Sequence, residues 1–187
     1  MNVTDAIHVR RAYRSLKAAE ITPEIVEDLA RHAQLAASCN NNQPWRYVFV
    51  YEREKLEEMF TTLSRGNLWA HQSSMIIAVF SKEENDCVIR SRIYHQFDLG
   101  MATATLILRA TELGLVAHPI AGFKPKMARE ILGIPDGNTL LALVIVGKKM
   151  EEFHPSLNEG QVEKEKIRPE RKQLEEFAFH NEYRLEE

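Results

Sequence analysis

The chain has 187 residues, of which 44% are hydrophobic, which is enough for one domain with a buried core. The formal net charge of −3 gives no reason to expect nucleic acid or an anionic membrane as a partner. The two cysteines, Cys39 and Cys87, provide neither a disulfide framework nor zinc-ligand spacing, and they favour a reducing compartment. Because we find neither an apolar signal segment nor an apolar run long enough to span a bilayer, we expect a cytoplasmic protein.

The first predicted elements are a short helix and an arginine-rich segment. The helix is expected to be capped by Thr4 or Asp5 and to lead into "RRAYR", residues 10–14. Arg10 and Arg14 would share a face if this segment is helical. Arginine binds phosphate through a planar two-pronged guanidinium, so the segment is a candidate phosphate site. Surface arginines paired with the many glutamates are the alternative interpretation.

A helix and a strand flank a cluster of side-chain amides. The helix is predicted to begin after the N-cap Thr22, with Pro23 at its first position, and to end near Ser38. The strand is "RYVFVY", residues 46–51. Between them, the amides of "NNNQP" offer donors and acceptors that would match the imide edge of a planar heterocycle such as a flavin. Ordinary Asx turns in a loop are the alternative.

The middle of the chain is predicted to alternate helices with apolar strands. Residues 52–64 give an amphipathic helix, and residues 74–81 and 140–147 give continuous apolar strands. Residues 97–114 form a long helix that ends at Gly114. Since this helix is apolar on nearly every side, we expect a partner subunit to cover part of it.

"HPIAGF", residues 118–123, is a strand end that turns at Gly122. Such a turn presents backbone N–H groups, and a donor aimed at a flavin N5 would stabilise the reduced ring. The alternative is an ordinary glycine turn. A short helix is predicted to follow over residues 124–133.

Several familiar catalytic patterns are missing from the sequence. It contains no GxGxxG, P-loop, HExxH, CxxC or GxSxG motif, and its seven histidines are scattered. We therefore expect no metal site, and no residue stands out as a catalytic acid or base. This absence favours chemistry carried by a bound cofactor.

The C-terminal residues are highly charged and carry only scattered apolar anchors, among them Leu174, Phe177 and Tyr183. A free tail would not need these side chains, so we expect an arm that lies on another surface, such as that of a second chain. A partly ordered, solvated tail is the alternative.

Taken together, "RRAYR", "AASCNNNQPWRYVFV", "FDLGMATATLILRATELGLVAHPIAGF" and "LLALVIVGK" resemble the FMN-dependent nitroreductases in order and spacing. The resemblance covers residues 5 to 150. It implies an α+β fold with a central mixed, mainly antiparallel sheet flanked by helices, in an intertwined homodimer with two FMN sites at the interface. A domain over residues 1–150 would bind FMN, and an arm over residues 151–187 would pack on the partner subunit.

The resemblance also assigns residues to the flavin. Arg10 and Arg11 match residues that hold the phosphate, and Arg14 matches the cation beside the N1–O2 edge. Asn67 matches an asparagine near the pyrimidine edge. The loop that the other subunit places against the flavin corresponds to Ser38, Cys39, Asn41 and Gln43. The strand end whose N–H faces N5 corresponds to Pro119, Ala121 and Gly122, and the basic tail residues that return to the phosphate correspond to Arg168, Arg171 and Lys172.

This sequence departs from the family pattern at several of these positions. Ala12 stands where a hydroxyl residue usually assists the phosphate, and Ala37 replaces a common proline. Ala121 replaces a frequent acid. Cys39 replaces a small residue, which would place a thiol close to the flavin.

The function implied is an oxidoreductase with tightly bound FMN. Hydride would pass from NADH or NADPH to the flavin N5, and then to a small nitroaromatic or quinone-like acceptor by a ping-pong mechanism. Three alternatives remain: another flavin reaction such as dehalogenation, enoate reduction or flavin modification; a non-catalytic FMN-binding dimer; and a thiol enzyme that uses Cys39.

Overall fold

Apolar strands in the middle of the chain form the centre of an antiparallel sheet. The computed structural model describes residues 1–183, and every strand pair in this range is antiparallel. The strands are β1 (Leu16–Lys17), β2 (Arg46–Val50), β3 (Met75–Ser81), β4 (Val88–Ile89), β5 (Arg92–Ile93), β6 (Val116–Ile120) and β7 (Thr139–Lys149). The α-helices are α1 (Val3–Val9), α2 (Pro23–Gln34), α3 (Arg53–Phe60), α4 (His95–Glu112), α5 (Pro125–Leu132) and α6 (Glu159–Lys166).

Strand β7 organises the main sheet. The strand order is β1-β7-β3-β2, and β6 also pairs with β7. The register places Ile77 opposite Val144 and His118 opposite Ile145. Strands β4 and β5 form a separate two-stranded hairpin. The α+β class expected from the sequence is therefore confirmed.

Both faces of the sheet are buried, because alternate residues of each central strand point to opposite sides. Ile76 and Ala78 face a core that contains residues of α3 and α5. Ile77 and Val79 face a second core with residues of α2 and α4. The continuous apolar runs of β3 and β7 reflect this double burial.

Several helix boundaries follow the signals in the sequence. Thr22 caps α2, because its Oγ1 accepts a hydrogen bond from the Ile25 N–H at 3.4 Å. Gly114 follows α4 with a φ of +74°, a left-handed conformation that suits glycine. Helix α2 ends before Ser38, since the Leu35 N–H bonds to the His32 carbonyl and tightens the last turn.

The start of the chain differs from the prediction. The N-cap of α1 is Asn2, whose side chain accepts from the Asp5 N–H, and not Thr4 or Asp5. Helix α1 ends at Val9, and residues 10–15 are not helical. The expectation that Arg10 and Arg14 share a helical face is therefore wrong.

Helix α4 is buried on one side within this chain. Leu99, Ala102 and Leu106 are completely or almost completely buried, whereas Phe97 remains 64% exposed. The outward face also carries Gly100 and other small or apolar residues. The all-round burial expected from the sequence is thus not provided by the single chain.

The chain divides into the unit Met1–Leu157 and a second unit that begins at Asn158. In the second unit, α6 begins at an Asn158 capping box, and the Phe179 ring contacts the Tyr183 ring edge-on at 4.6 Å. The boundary after residue 150 and the packing of the arm on a partner stay predictions. Among the described residues, none of the helices combines the length and apolarity needed to cross a membrane.

One polar pair connects the sheet to α4. The Tyr47 hydroxyl on β2 lies 3.1 Å from the Thr103 Oγ1 on α4, and Thr103 Oγ1 donates to the Leu99 carbonyl at 2.7 Å. Burial raises the pKa of Tyr47 to about 12. The neutral phenol is therefore part of the packed structure.

We expect the Tyr47→Phe variant to be less sensitive to alkali than the wild type. In the unfolded chain Tyr47 ionises near its ordinary pKa of about 10, so the unfolded state releases its proton first. Stability that the neutral phenol provides is retained below about pH 10 and lost as pH rises towards 12. Over this pH range the wild type should lose at most about 3 kcal/mol more of its free energy of unfolding than the variant does. Urea unfolding of both proteins at about pH 9 and pH 12 measures this difference. Equal losses of stability in the two proteins would contradict a raised pKa for Tyr47.

Candidate functional site

A histidine in the middle of β6 attaches the arginine segment to the sheet. His118 on β6 is buried, and its Nδ1 lies 3.0 Å from the Tyr13 carbonyl oxygen. The imidazole stacks on the indole of Trp69 at 4.8 Å between ring centroids. The segments "RRAYR" and "HPIAGF", which are over 100 residues apart, therefore meet at one place.

A cationic cluster surrounds the Tyr13 side chain. The Arg11 guanidinium carbon lies 4.8 Å from the centroid of the Tyr13 ring, and Lys149 Nζ lies 4.7 Å from the same centroid. The register of β1 on β7 explains this, because Leu16 lies opposite Lys149. We did not select Lys149 from the sequence, although it lies two residues after the apolar run 140–147, at the end of β7.

Asn67 is held against the turn at Gly122. Its Nδ2 donates to the Gly122 carbonyl at 2.9 Å and to Ser64 Oγ at 3.3 Å. The Ser64 N–H also donates to the Gly122 carbonyl, at 3.0 Å. An added Cβ at Gly122 would lie 2.6 Å from both Asn67 Nδ2 and Ser64 Oγ, so these side chains or the turn would have to move.

The residue before this turn presents an available donor. Ala121 is exposed, and among residues 1–183 its N–H makes no hydrogen bond. Pro119 is also exposed, at the β6 position opposite Val144. The predicted residues Asn67, Ala121 and Gly122 thus lie together.

The amide loop takes a backbone form that asparagine tolerates well. Asn40, Asn41 and Gln43 have φ values of 49°, 56° and 50°. The Gln43 N–H donates to Ser38 Oγ at 3.0 Å, which closes the loop on itself. The left-handed backbone of the loop therefore accounts for part of this cluster of amides.

The side chains of this loop are bonded to a different part of the fold. Asn40 Nδ2 and Asn42 Nδ2 each lie 3.4 Å from Cys87 Sγ, and Asn42 Nδ2 also reaches Asp86 Oδ1 at 3.3 Å. The backbone N–H of Cys39 donates to Asp98 Oδ2 at 2.7 Å. The loop is thereby attached to the first turn of α4 and to the segment before β4.

Cys39 and Cys87 form a disulfide, with their Cα atoms 6.0 Å apart. The expectation of two free thiols is wrong, and the structure offers no free Cys39 thiol for catalysis. Because 48 residues separate the two cysteines, their spacing gave no sign of this contact. By loop entropy, a crosslink of this span stabilises a fold by about 4 kcal/mol.

Asp98 is an unusual buried acid beside this crosslink. Its side chain lies on the inward face of α4 and is almost completely buried. Burial raises the pKa of Asp98, the Cys39 N–H partly opposes this shift, and the neighbouring Asp86 carboxylate adds to it. We did not identify either acid from the sequence.

The three basic residues predicted in the tail belong to the second unit. Arg171 Nη1 donates to the Pro169 carbonyl at 2.9 Å, and Lys172 Nζ lies 3.9 Å from Glu176 Oε2. Arg168 is exposed. Their assignment to a phosphate stays a prediction.

Comparison with known proteins shows the same resemblance. The profile of the nitroreductase family matches residues 7–75 and 65–148. A protein of Archaeoglobus fulgidus, provisionally named NADH dehydrogenase/NAD(P)H nitroreductase, is 28% identical over 154 residues, covering 78% of this chain and 84% of that protein. An uncharacterised 15.4 kDa protein of Mycolicibacterium smegmatis is 36% identical over 127 residues, covering 66% and 83%.

A solved structure described as an oxidoreductase containing FMN has a similar fold. It superposes with a TM-score of 0.84 at 26% sequence identity, and the match covers 98% of this chain and 94% of that one.

We expect the Gly122→Ala variant to be destabilised by about 1 to 3 kcal/mol, because the new Cβ must displace Asn67 or the turn. The matched control is Gly66→Ala, where an added Cβ meets nothing within 4 Å. The control should stay within about 0.5 kcal/mol of the wild type. Chemical unfolding measures both, and equal stabilities would contradict the close approach at Gly122.

Proposed function

Because the chain belongs to the nitroreductase family, we propose that it is an FMN-dependent oxidoreductase that uses NADH or NADPH to reduce a small acceptor. The observation that carries the proposal is the junction at Tyr13 and His118, which joins a cationic segment to a strand end with an available N–H donor. A similar structure contains FMN, and a relative carries the name of an NAD(P)H nitroreductase. We place the enzyme in the cytoplasm, where reduced nicotinamides are plentiful; there the Cys39–Cys87 disulfide would be open to reduction, because disulfides are rare in reducing compartments.

The anionic end of FMN would bind at the arginine segment. Arg10 and Arg11 would hold the phosphate, and Arg14 would lie beside the N1–O2 edge. The ring contact of Lys149 with Tyr13 adds another cation close to Arg11. A local concentration of cations in a chain of net charge −3 supports a specific anion site over general basicity.

The residues near Gly122 fit the flat ring of a flavin. Both hydrogens of the Asn67 amide are directed to acceptors of this chain, so Oδ1 is the group left to accept the imide N–H. The absence of a side chain at Gly122 lets Asn67 and Ser64 pack directly against the turn, which holds the Asn67 amide at this end of β6. Ala121 would direct its N–H to the ring nitrogen N5.

Bound FMN would supply the chemistry, by accepting hydride and passing two electrons to the acceptor. The protein would position the rings and adjust the charge beside them, and solvent would provide protons. Of the groups described, the Arg14 cation and the Ala121 N–H would favour the reduced, anionic ring.

We propose that the enzyme is a homodimer. Besides Phe97 on α4, the residues Val3, Ile7 and Val9 on α1 are each more than half exposed in the single chain. Large apolar side chains that a single chain leaves exposed are often covered at a protein interface. In the dimer, the loop with Ser38, Cys39, Asn41 and Gln43 would lie against the partner's flavin, and the arm after residue 150 would pack on the partner.

The direct test is to purify the protein and identify its chromophore. It should be yellow, and heat should release FMN. Without oxygen, NADH or NADPH should bleach the flavin, and a nitroaromatic or quinone should restore its colour. Flavin that neither nicotinamide reduces would indicate a binding protein, and a colourless monomer that ignores added FMN would overturn the proposal.

We expect the Arg10→Ala variant to bind FMN at least about tenfold more weakly than the wild type, because a hydrogen bond to a charged group is lost. The matched control is Arg53→Ala on α3, which loses only its exposed ion pair with Glu57. Titration of the flavin-free proteins with FMN, followed by flavin fluorescence, gives both dissociation constants. Equal affinities in the two variants would remove Arg10 from the phosphate site.

Deletion of the last ~25 residues should weaken dimerisation and FMN binding together, if the arm packs on the partner and returns a basic residue to the phosphate. Sedimentation gives the oligomeric state, and flavin titration gives the affinity. A truncated protein that keeps both would show that the tail is only a solvated extension.

A further inference from the structure

The disulfide lies within a group of possible metal ligands. One donor atom from each of Cys39, Asp86 and Cys87 lies within 4.8 Å of the other two. The three residues come from two segments that meet at the start of α4. Two thiolates and a carboxylate form a donor set that Zn²⁺ accepts, with a water as a fourth ligand.

The surroundings of Cys87 suit an anionic sulfur. Two side-chain amides, from Asn40 and Asn42, direct their Nδ2 atoms at Cys87 Sγ, each at 3.4 Å. A disulfide sulfur is a weak acceptor and gains little from two donors, whereas a thiolate is stabilised by them. Hydrogen bonds to ligand sulfurs are a common second layer around metal sites.

The two oxygens of the Asp86 carboxylate differ in their hydrogen bonding. Its Oδ1 accepts the Cys87 N–H at 2.8 Å and the Asn42 amide at 3.3 Å. Its Oδ2 is buried and has no donor among residues 1–183 apart from the neighbouring carboxyl of Asp98, whose pKa is raised partly by its side-chain contact with Asp86. Two adjacent carboxyl groups repel each other when both are ionised, and a bound cation would offset that repulsion.

We propose that, when the disulfide is reduced, Cys39, Cys87 and Asp86 bind one thiophilic divalent cation such as Zn²⁺. A dithiol reductant gives two electrons and two protons to the disulfide and itself becomes a disulfide. Binding of the cation then releases the two thiol protons. A disulfide oxidant can then take two electrons from the two thiolates and leave, with two protons from solvent, as a dithiol; the Cys39–Cys87 bond re-forms and the cation is expelled.

The backbone needs little movement to reach the bound state. A tetrahedral zinc with bonds of about 2.3 Å holds two sulfurs about 3.8 Å apart. Rotation of the two side chains can reach that distance from Cα atoms 6.0 Å apart. The cation would connect the amide loop to the segment before β4 as the disulfide does, so the loop is held in both redox states.

The test compares reduced and oxidised full-length protein, as purified and with its flavin content recorded. After treatment with a dithiol and a chelator without oxygen, added Co²⁺ should give a thiolate-to-cobalt absorption in the difference spectrum, saturating at one ion per chain. Zn²⁺ should displace it and protect both cysteines from alkylation. The oxidised protein should give no such band. Because the flavin cancels in the difference spectrum, the result is independent of the proposed enzymatic function.

Variants identify the ligands. Cys39→Ser and Cys87→Ser should each abolish the band, and Asp86→Asn should weaken Co²⁺ binding at least about tenfold. The matched control is Asp136→Asn, which changes an acid whose side chain is fully exposed. The circular dichroism of each cysteine variant is compared with that of the reduced wild type, which also lacks the crosslink. No band in reduced wild type, or a band that survives Cys39→Ser, would overturn the proposal.

Discussion

The burial of β3 and β7 on both faces is the constraint on which the rest of the structure depends. Helices α3 and α5 contribute to the core on one side, and α2 and α4 contribute to the core on the other. Because the strands are covered twice, their ends are the places where polar groups can gather. Asn67 and the Gly122 turn meet where β6 ends, and His118 within β6 holds the Tyr13 carbonyl of the arginine segment.

The parts of this fold that could be predicted from sequence have local causes. Thr22 and Gly114 mark helix ends through their own backbone and side-chain chemistry, and the apolar runs of β3 and β7 reveal double burial. The helix ends and the apolar strands need no knowledge of distant contacts. Asn67 and Gly122 lie 55 residues apart in the chain, and their contact followed only from the family resemblance.

What could not be predicted depends on contacts between distant segments. The approach of Cys39 to Cys87 requires the amide loop and the segment before β4 to meet at α4. The contact of Lys149 with Tyr13 requires the register of β1 on β7. The four side-chain amides of residues 40–43 are predicted from the sequence to act through their hydrogen-bonding groups, yet three of these residues also take the left-handed backbone of the loop. Composition and spacing do not contain this information.

The position of β7 in the chain has a consequence for biosynthesis. This strand ends at Lys149, yet β1, β3 and β6 all pair with it. During synthesis, the apolar β3 can pair with β2 but lacks its other neighbour, β7, until about 60 further residues have emerged from the ribosome. Such late, long-range pairing slows folding and leaves one edge of an apolar strand exposed and prone to aggregation. The nascent protein should consequently be a client for chaperones that shield extended apolar segments.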